Sequence, residues 1–385
     1  MKLKKKKTAL VHYWLTGMRG GEKVVQSICN IFPNIDIFTL VHNKDKISDE
    51  INSHKITTSF IQKLPKAKTK YQSYLPFMPV AIEQFDLSDY DLVISSESGI
   101  AKGVLTKPET CHICYCHSPM RYLWNMYFDY MDNEKLGLLK RNFIKWYFNY
   151  LRVWDLASAS RVDYFVCNSD NVRKRIKKYY RREAEVIYPP VDVEKHRPAG
   201  QKKDYYLIVS QLVPYKRVDL AVKAFNQLGK DLVIIGKGSE LKKLKKEAGP
   251  NIKFLGWIEN FELARYYAEA NAFIFPGEED FGITPVEAQA CGTPVIGFSK
   301  GGLLETVIEG QTGILFEKQE PESLIDAVHR FESLQGNFNE EKIRKNSLKF
   351  SVKKFEDKFQ EFSESKFEEH SEIFNNNHRH QRKVK

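Results

Sequence analysis

Short apolar runs alternate with stretches of helical spacing along nearly the whole chain, and this alternation restricts the fold more than any other feature. The run at 8–14 leads into a glycine loop, Leu15-Thr16-Gly17-Met18-Arg19-Gly20-Gly21. Apolar residues then recur at Val24, Val25, Ile28, Cys29 and Ile31, which is helical spacing. Further strands are predicted at 35–41, 91–95, 112–117, 162–168 and 185–188, with helices at 134–160 and 171–180. Pro189-Pro190 and the polar residues 192–204 interrupt the series. A second series follows, with strands at 205–210, 231–236, 253–256, 272–275, 293–298 and 314–316. Its helices are predicted at 218–228, 261–270, 286–291 and 321–334, and another at 352–362. Each series can build a parallel sheet covered on both faces. The predicted class is therefore α/β, with two Rossmann-like domains at 1–190 and 191–350, facing across a cleft.

The 385 residues are enough for two such domains. Lys and Arg number 60 against 49 Asp and Glu, a net charge of +11. That balance favours an anionic partner: nucleic acid, acidic lipid or a phosphorylated substrate. No nucleic-acid motif is present. The start of the chain carries the charge of a secretion signal, but the apolar run after it is short, contains His12 and lacks a small-residue cleavage site. It reads as the first core strand of a cytoplasmic protein. At 55–80, Lys63, Lys66, Lys68 and Lys70 interleave with Tyr71, Tyr74, Leu75, Phe77 and Met78. This mixture suits peripheral contact with an anionic membrane, and equally a helix with a lysine-rich solvated face. Cys111 and Cys114, with His112 and His117, lack the second ligand pair of a structural zinc site, and 112–116 alternates as a strand does. No metal is expected.

The sharpest local pattern is Pro276-Gly277-Glu278-Glu279-Asp280-Phe281-Gly282-Ile283-Thr284-Pro285-Val286-Glu287. A buried strand enters it and a helix leaves it, so Glu279 lies in the loop and Glu287 on the helix. Backbone N–H groups at a helix start attract anions. Two carboxylates beside such a start suit a neutral, hydroxyl-rich group next to phosphates, as in a sugar nucleotide. A solvated acidic loop would carry the same residues. Gly236-Lys237-Gly238 ends a strand but is not the dinucleotide fingerprint. His117 closes a strand before Ser118-Pro119. A sheet's carboxyl edge, where such a residue lies, is where open α/β sheets bind ligands. Gly20-Gly21 permits close approach of a ligand, or is a plain turn.

These residues together resemble the retaining glycosyltransferases of family 4, which have the GT-B fold. Glu279-x-Phe281-Gly282-x-x-x-x-Glu287 matches that family's E-x7-E motif. Ala290-Cys291-Gly292-Thr293-Pro294-Val295, Gly301-Gly302, Leu212-Val213-Pro214-Tyr215-Lys216 and Tyr188-Pro189-Pro190-Val191-Asp192 match as well. The stretches Trp14–Gly21 and His117–Trp124 resemble a subgroup of bacterial mannosyltransferases of surface-polysaccharide assembly. The resemblance implies that the second domain binds a nucleotide-sugar donor and the first an acceptor. Glu287 would hold the ribose, and Glu279 with the amides around Phe281, Gly282 and Ile283 the donor sugar. Lys216 would neutralise the diphosphate, with Gly238 beside it. His117 would reach the donor sugar, and Gly20 and Gly21 would close over the diphosphate. Trp14, Arg19, Arg121 and Trp124 are expected on the acceptor side. A last helix at about 351–367 would return to the first domain, and 368–385 would be a disordered tail.

The implied reaction moves a hexose, mannose from GDP-mannose, onto a lipid-linked or polysaccharide acceptor without a cofactor. A UDP-sugar donor is the alternative within the class, and Trp257-Ile258 a place for the base. A non-catalytic binder of anionic polymer is the alternative outside it. One position departs from the family pattern: the usual Arg ahead of Lys216 is Gln211, and Arg217 is expected to supply the second charge.

Overall fold

The computed structural model describes residue 3 and residues 6–133, 137–198 and 201–383. The chain forms two compact units, Met1–Pro189 with Phe355–Lys385, and Pro190–Lys354.

Unit 1 holds seven parallel strands: β1 (Thr8–His12), β2 (Asp36–Thr39), β3 (Ile56–Thr58), β4 (Leu92–Glu97), β5 (Cys111–Cys116), β6 (Tyr164–Cys167) and β7 (Ala184–Val186). Their order is β3-β2-β1-β4-β5-β6-β7. β1, β4 and β5 are buried along their whole length, which is why they read as unbroken apolar runs. Leu10 pairs with Ile94, and Ile94 with Ile113, so the aliphatic layers stay in register. Cys111, Cys114 and Cys116 are buried along β5. β3 lies inside the stretch expected to be helical or membrane-facing; its Ile-Thr-Thr is β-branched but too short to show a period. The region predicted as one helix at 134–160 contains two, Tyr127–Asn133 and Leu138–Ala159, with 134–136 outside the described residues.

Glu97 at the end of β4, Lys102 in the turn after it and Asp155 on the helix Leu138–Ala159 form a fully buried ion cluster. Lys102 Nζ contacts Asp155 directly and lies 3.5 Å from Glu97 Oε1. Tyr180 OH donates to Asp155 at 3.0–3.1 Å, and Trp124 Nε1 donates to Asp155 Oδ2 at 2.7 Å. Burial alone would lower the Lys102 pKa; the two carboxylates outweigh it and hold the ammonium charged.

The last helix, Val352–Lys383, completes unit 1. Phe355 and Phe359 stack at 5.5 Å, and both meet Tyr115 of β5 edge-on. The helix runs on past 367, where a disordered tail was expected. Phe367 and His370 are buried, Lys366 pairs with Glu369 at 2.7 Å, and His370 Nε2 lies 3.7 Å from Asp163. These contacts extend the packed face beyond the apolar run that the sequence displays. Residues 384–385 lie outside the described residues.

Unit 2 holds β8 (Tyr206–Val209), β9 (Leu232–Ile235), β10 (Ile252–Gly256), β11 (Ala272–Phe275), β12 (Val295–Phe298) and β13 (Gly313–Phe316). All are parallel, in the order β10-β9-β8-β11-β12-β13. The strand order reverses between β8 and β11, as it does between β1 and β4 in unit 1. Such switch points leave a crevice at the carboxyl ends of the strands.

Candidate active site

The loops after β8 and β11 flank the reversal in unit 2, and they bring two of the expected residues into contact. Lys216, in the short 3₁₀ turn Pro214–Lys216, forms an ion pair with Glu279. Gly277 makes that approach feasible, because a Cβ there would lie 3.0 Å from the Lys216 backbone. Gly282 adopts φ 89° and caps the helix Ile283–Ala290, so the chain turns sharply from loop to helix. Gly301 and Gly302 lie against this loop. A Cβ on Gly301 would sit 2.2 Å from the Glu279 carbonyl oxygen, and one on Gly302 2.4 Å from the Phe281 Cα. The Gly302 N–H also donates to the Glu279 carbonyl at 2.9 Å. The glycine pair therefore shapes the Glu279 loop.

Glu287 is buried on the helix and accepts from Tyr267 OH at 3.1 Å. The helix Glu340–Ser347 holds the far end of this element: Asn346 Nδ2 donates to Gln289 Oε1 at 2.8 Å and Arg344 Nη1 to the Ala290 carbonyl at 2.6 Å. Phe281 is buried edge-on against Phe350, 5.4 Å between ring centres, and Ile283 is half-buried. Gly238 has a structural reason to be glycine, because a Cβ would lie 2.0 Å from the Leu212 carbonyl oxygen. Trp257 follows β10 and is 64% exposed.

Arg217 adopts the left-handed conformation, φ 53°. Its guanidinium reaches Asp219 and Gln319 at 3.4–3.5 Å, and Gln319 in turn donates to the Pro276 carbonyl at 2.9 Å. Arg217 thus braces the loop that carries Glu279. Serving a diphosphate would require it to exchange those contacts. Gln211 is exposed.

In unit 1 the loops after β1, β4 and β5 gather a second group. His117 is fixed at both ends of its peptide: its N–H donates to the Glu97 carbonyl at 2.7 Å, and its carbonyl accepts from Asn168 at 3.0 Å. Its Nε2 shares a 2.8 Å hydrogen bond with Ser96 Oγ. Gly21 opens the helix Gly20–Ile31 beside it. A Cβ on Gly21 would lie 3.7 Å from His117 Nε2 and 3.0 Å from Tyr13 OH, so the glycine keeps this approach open. Arg19 is exposed at the helix N-cap, Arg121 is half-buried, and Trp14 packs on Tyr13 and Tyr71 at 4.4 and 4.6 Å. Trp124 donates its indole N–H to the buried Asp155 and stacks on Tyr179 at 4.8 Å, so it anchors the core.

His12 and Glu22 join this group without having been singled out from the sequence. His12 is fully buried, with its Nε2 4.0 Å from Glu22 Oε1. Glu22 accepts from the Arg19 N–H at 3.0 Å. The only legible signal was Glu22 three positions inside a helix start. Burial pushes Glu22 up to about 7, against the Arg19 amide and charge, and burial with the nearby His117 lowers His12 to about 3. His12 is therefore neutral above that value and does not offset the charge on Glu22. A carboxyl raised in the folded state stabilises fully below its unfolded value, and that stability is lost as pH rises through its folded value. The interval from the ordinary 4.5 to about 7 corresponds to about 3 kcal/mol. Glu22→Gln, which stays neutral, is expected to be more stable than the parent at pH 8 and close to it at pH 4.5. Denaturant melts of both proteins across that range check this; parallel pH profiles would count against it.

Two family descriptions match the chain: Glycosyltransferase Family 4 over residues 34–195 and Glycosyl transferases group 1 over residues 192–350. An uncharacterized glycosyltransferase of Methanocaldococcus jannaschii is 30% identical over 230 residues, 58% of this chain and 61% of that protein. A GDP-mannose-dependent alpha-(1-6)-phosphatidylinositol monomannoside mannosyltransferase of Mycobacterium tuberculosis is 32% identical over 174 residues, 37% of this chain and 45% of that protein. The chain thus spans less than two thirds of the length of these relatives. Among solved structures, Anabaena HepE in complex with UDP-glucose superposes with a TM-score of 0.66 at 16% identity, covering 93% of this chain and 99% of that one. With adjoining matches spanning residues 34–350 and the two parallel-sheet units of that fold, the chain belongs to the group 1 and family 4 glycosyltransferases of the GT-B type.

Proposed function

We propose that this protein is a retaining hexosyltransferase that takes mannose from GDP-mannose and passes it to a lipid-linked or polysaccharide acceptor in cell-surface glycan assembly. The observation that carries this reading is the Lys216–Glu279 pair at the switch point of the second sheet, next to the start of the helix that bears Glu287. Transfer breaks the bond between the anomeric carbon and the diphosphate oxygen. Negative charge grows on the diphosphate and positive charge on the sugar. Lys216 and the N–H groups at the Ile283–Ala290 start would stabilise the first charge without a metal. Glu279, already aligned by Lys216, would accept from sugar hydroxyls, and Glu287, held by Tyr267, from the ribose. The acceptor hydroxyl oxygen forms the new bond, and its proton passes to the departing diphosphate. His117, set by Ser96, would contact the sugar. Trp14, Arg19, Arg121 and Trp124 would face the acceptor.

The mannosyltransferase relative favours GDP-mannose. HepE, with UDP-glucose bound, favours a UDP-sugar as the second reading. Incubating the purified full chain with GDP-mannose or UDP-glucose, with chelator present, and measuring released nucleotide separates the two. GDP release that is faster than UDP release is the expected result, and the reverse order supports the second reading. Release of neither, with no thermal stabilisation by either donor, would overturn the proposal.

A further inference from the structure

His117 is held at its ring as well as at its peptide, and the group at the ring is a hydroxyl with a single partner. Ser96 lies on β4, in register with His12 of β1 and Tyr115 of β5, and is fully buried. Its Oγ lies 2.8 Å from His117 Nε2. Among the described residues this hydroxyl has no other hydrogen bond.

Two arrangements share that distance. In one, the Ser96 hydroxyl donates to a bare Nε2 and the ring proton is on Nδ1. In the other, Nε2–H donates to Oγ, and the serine proton is left without an acceptor. A buried donor left unpaired costs its full desolvation, so the first arrangement prevails. An unconstrained histidine carries its ring proton mostly on Nε2, and here the hydrogen bond at one nitrogen reverses that preference.

The same distance would suit a serine nucleophile activated by a histidine base. Burial excludes that role, because no substrate carbon reaches an oxygen without exposed surface. Nor is Nε2 available as a base. It has one lone pair, and Ser96 occupies it. A Cβ on Gly21 would lie 3.7 Å from Nε2, so a group seated over that glycine meets a nitrogen already satisfied.

We propose that Ser96 is a positioning residue that fixes His117 as its Nδ1–H tautomer, so that the ring meets the donor sugar as a hydrogen-bond donor and not as a base. Sugar oxygens accept such a bond, and this tautomer is neutral, so it does not oppose the positive charge that grows on the sugar. The contact with the sugar rests on the proposed transfer reaction; the tautomer rests on the fold alone. Ser95 provides a control. It is equally buried, and its Oγ lies 2.9 Å from Nε2 of another histidine, His112. Successive strand residues point to opposite faces, so Ser95 points away from Ser96.

The test reads the ring-nitrogen chemical shifts of His117 in the full chain carrying isotope-labelled histidine, with the signals assigned by their loss in His117→Gln. Nδ1 is expected to show the shift of a protonated nitrogen and Nε2 that of a bare one. Ser96→Ala should move the proton toward Nε2 and lower kcat about tenfold, the size of one hydrogen bond, with donor KM nearly unchanged. Ser96→Thr keeps a hydroxyl and should restore both readouts, and Ser95→Ala should leave both as in the parent. A proton on Nε2 in the parent overturns the proposal. So does a Ser96→Ala protein with parental His117 signals, or one with shifted signals and full kcat. Equal losses of kcat in Ser95→Ala and Ser96→Ala also overturn it, by reducing the effect to stability. The expected shifts in a chain that transfers from neither donor would refute the reaction while supporting the Ser96 assignment.

Discussion

Lys216→Ala is expected to lower kcat/KM for the nucleotide sugar about 100- to 1000-fold, the range for removing one preorganised group that faces developing charge. The residue lies on a loop at the sheet edge and pairs with Glu279, so the fold should survive its loss. Its partner divides the effect differently. Glu279→Ala should act mainly on kcat, because the sugar is gripped most tightly as its charge develops. Glu287→Ala should act mainly on donor KM, because ribose binding is the same in ground and transition states. Because Lys216 and Glu279 touch, the double variant should fall well short of the product of the single effects. Steady-state kinetics with varied donor check all three statements. Multiplicative losses would mean that the pair does not act as one unit.

Lys102→Met should be the most damaging stability change, costing about 3–5 kcal/mol. The substitution leaves Glu97 and Asp155 buried without their cation, in a cluster with no exposed side chain to relax toward water. Lys102→Met with Asp155→Asn should recover part of the loss, because one of the two stranded charges goes with it. Denaturant melts followed by tryptophan fluorescence provide the measurement, since Trp124 is bonded to Asp155. A loss below about 1 kcal/mol would show that the cluster takes up water readily.

Most strands of both sheets were legible from sequence, because they are short, largely apolar and followed by a segment of helical spacing. β3 was not, since three β-branched residues show no period. Glu279 and Glu287 were legible as residues, but the partner that organises each was not. Lys216 reaches Glu279 only because β8 and β11 are neighbours in the sheet, and Tyr267 reaches Glu287 from the preceding helix. Sheet order is a long-range property that a local pattern does not display. The same holds for Glu97, Lys102 and Asp155, which look like ordinary surface charges along the chain. Gly301 and Gly302 were matched as a motif, and the structure adds their physical reason, contact with the Glu279 loop.

The claim that the carboxyl edge of β8 and β11 is a nucleotide-sugar site is tested most directly by titration calorimetry. GDP and GDP-mannose would be titrated into the full chain and into Glu287→Ala, with melting temperatures measured alongside. The account predicts saturable binding to one site per chain, weakened about tenfold or more in Glu287→Ala, a loss of about 1.4 kcal/mol, measured below the melting temperature of the variant. Equal affinity in the two proteins would contradict it.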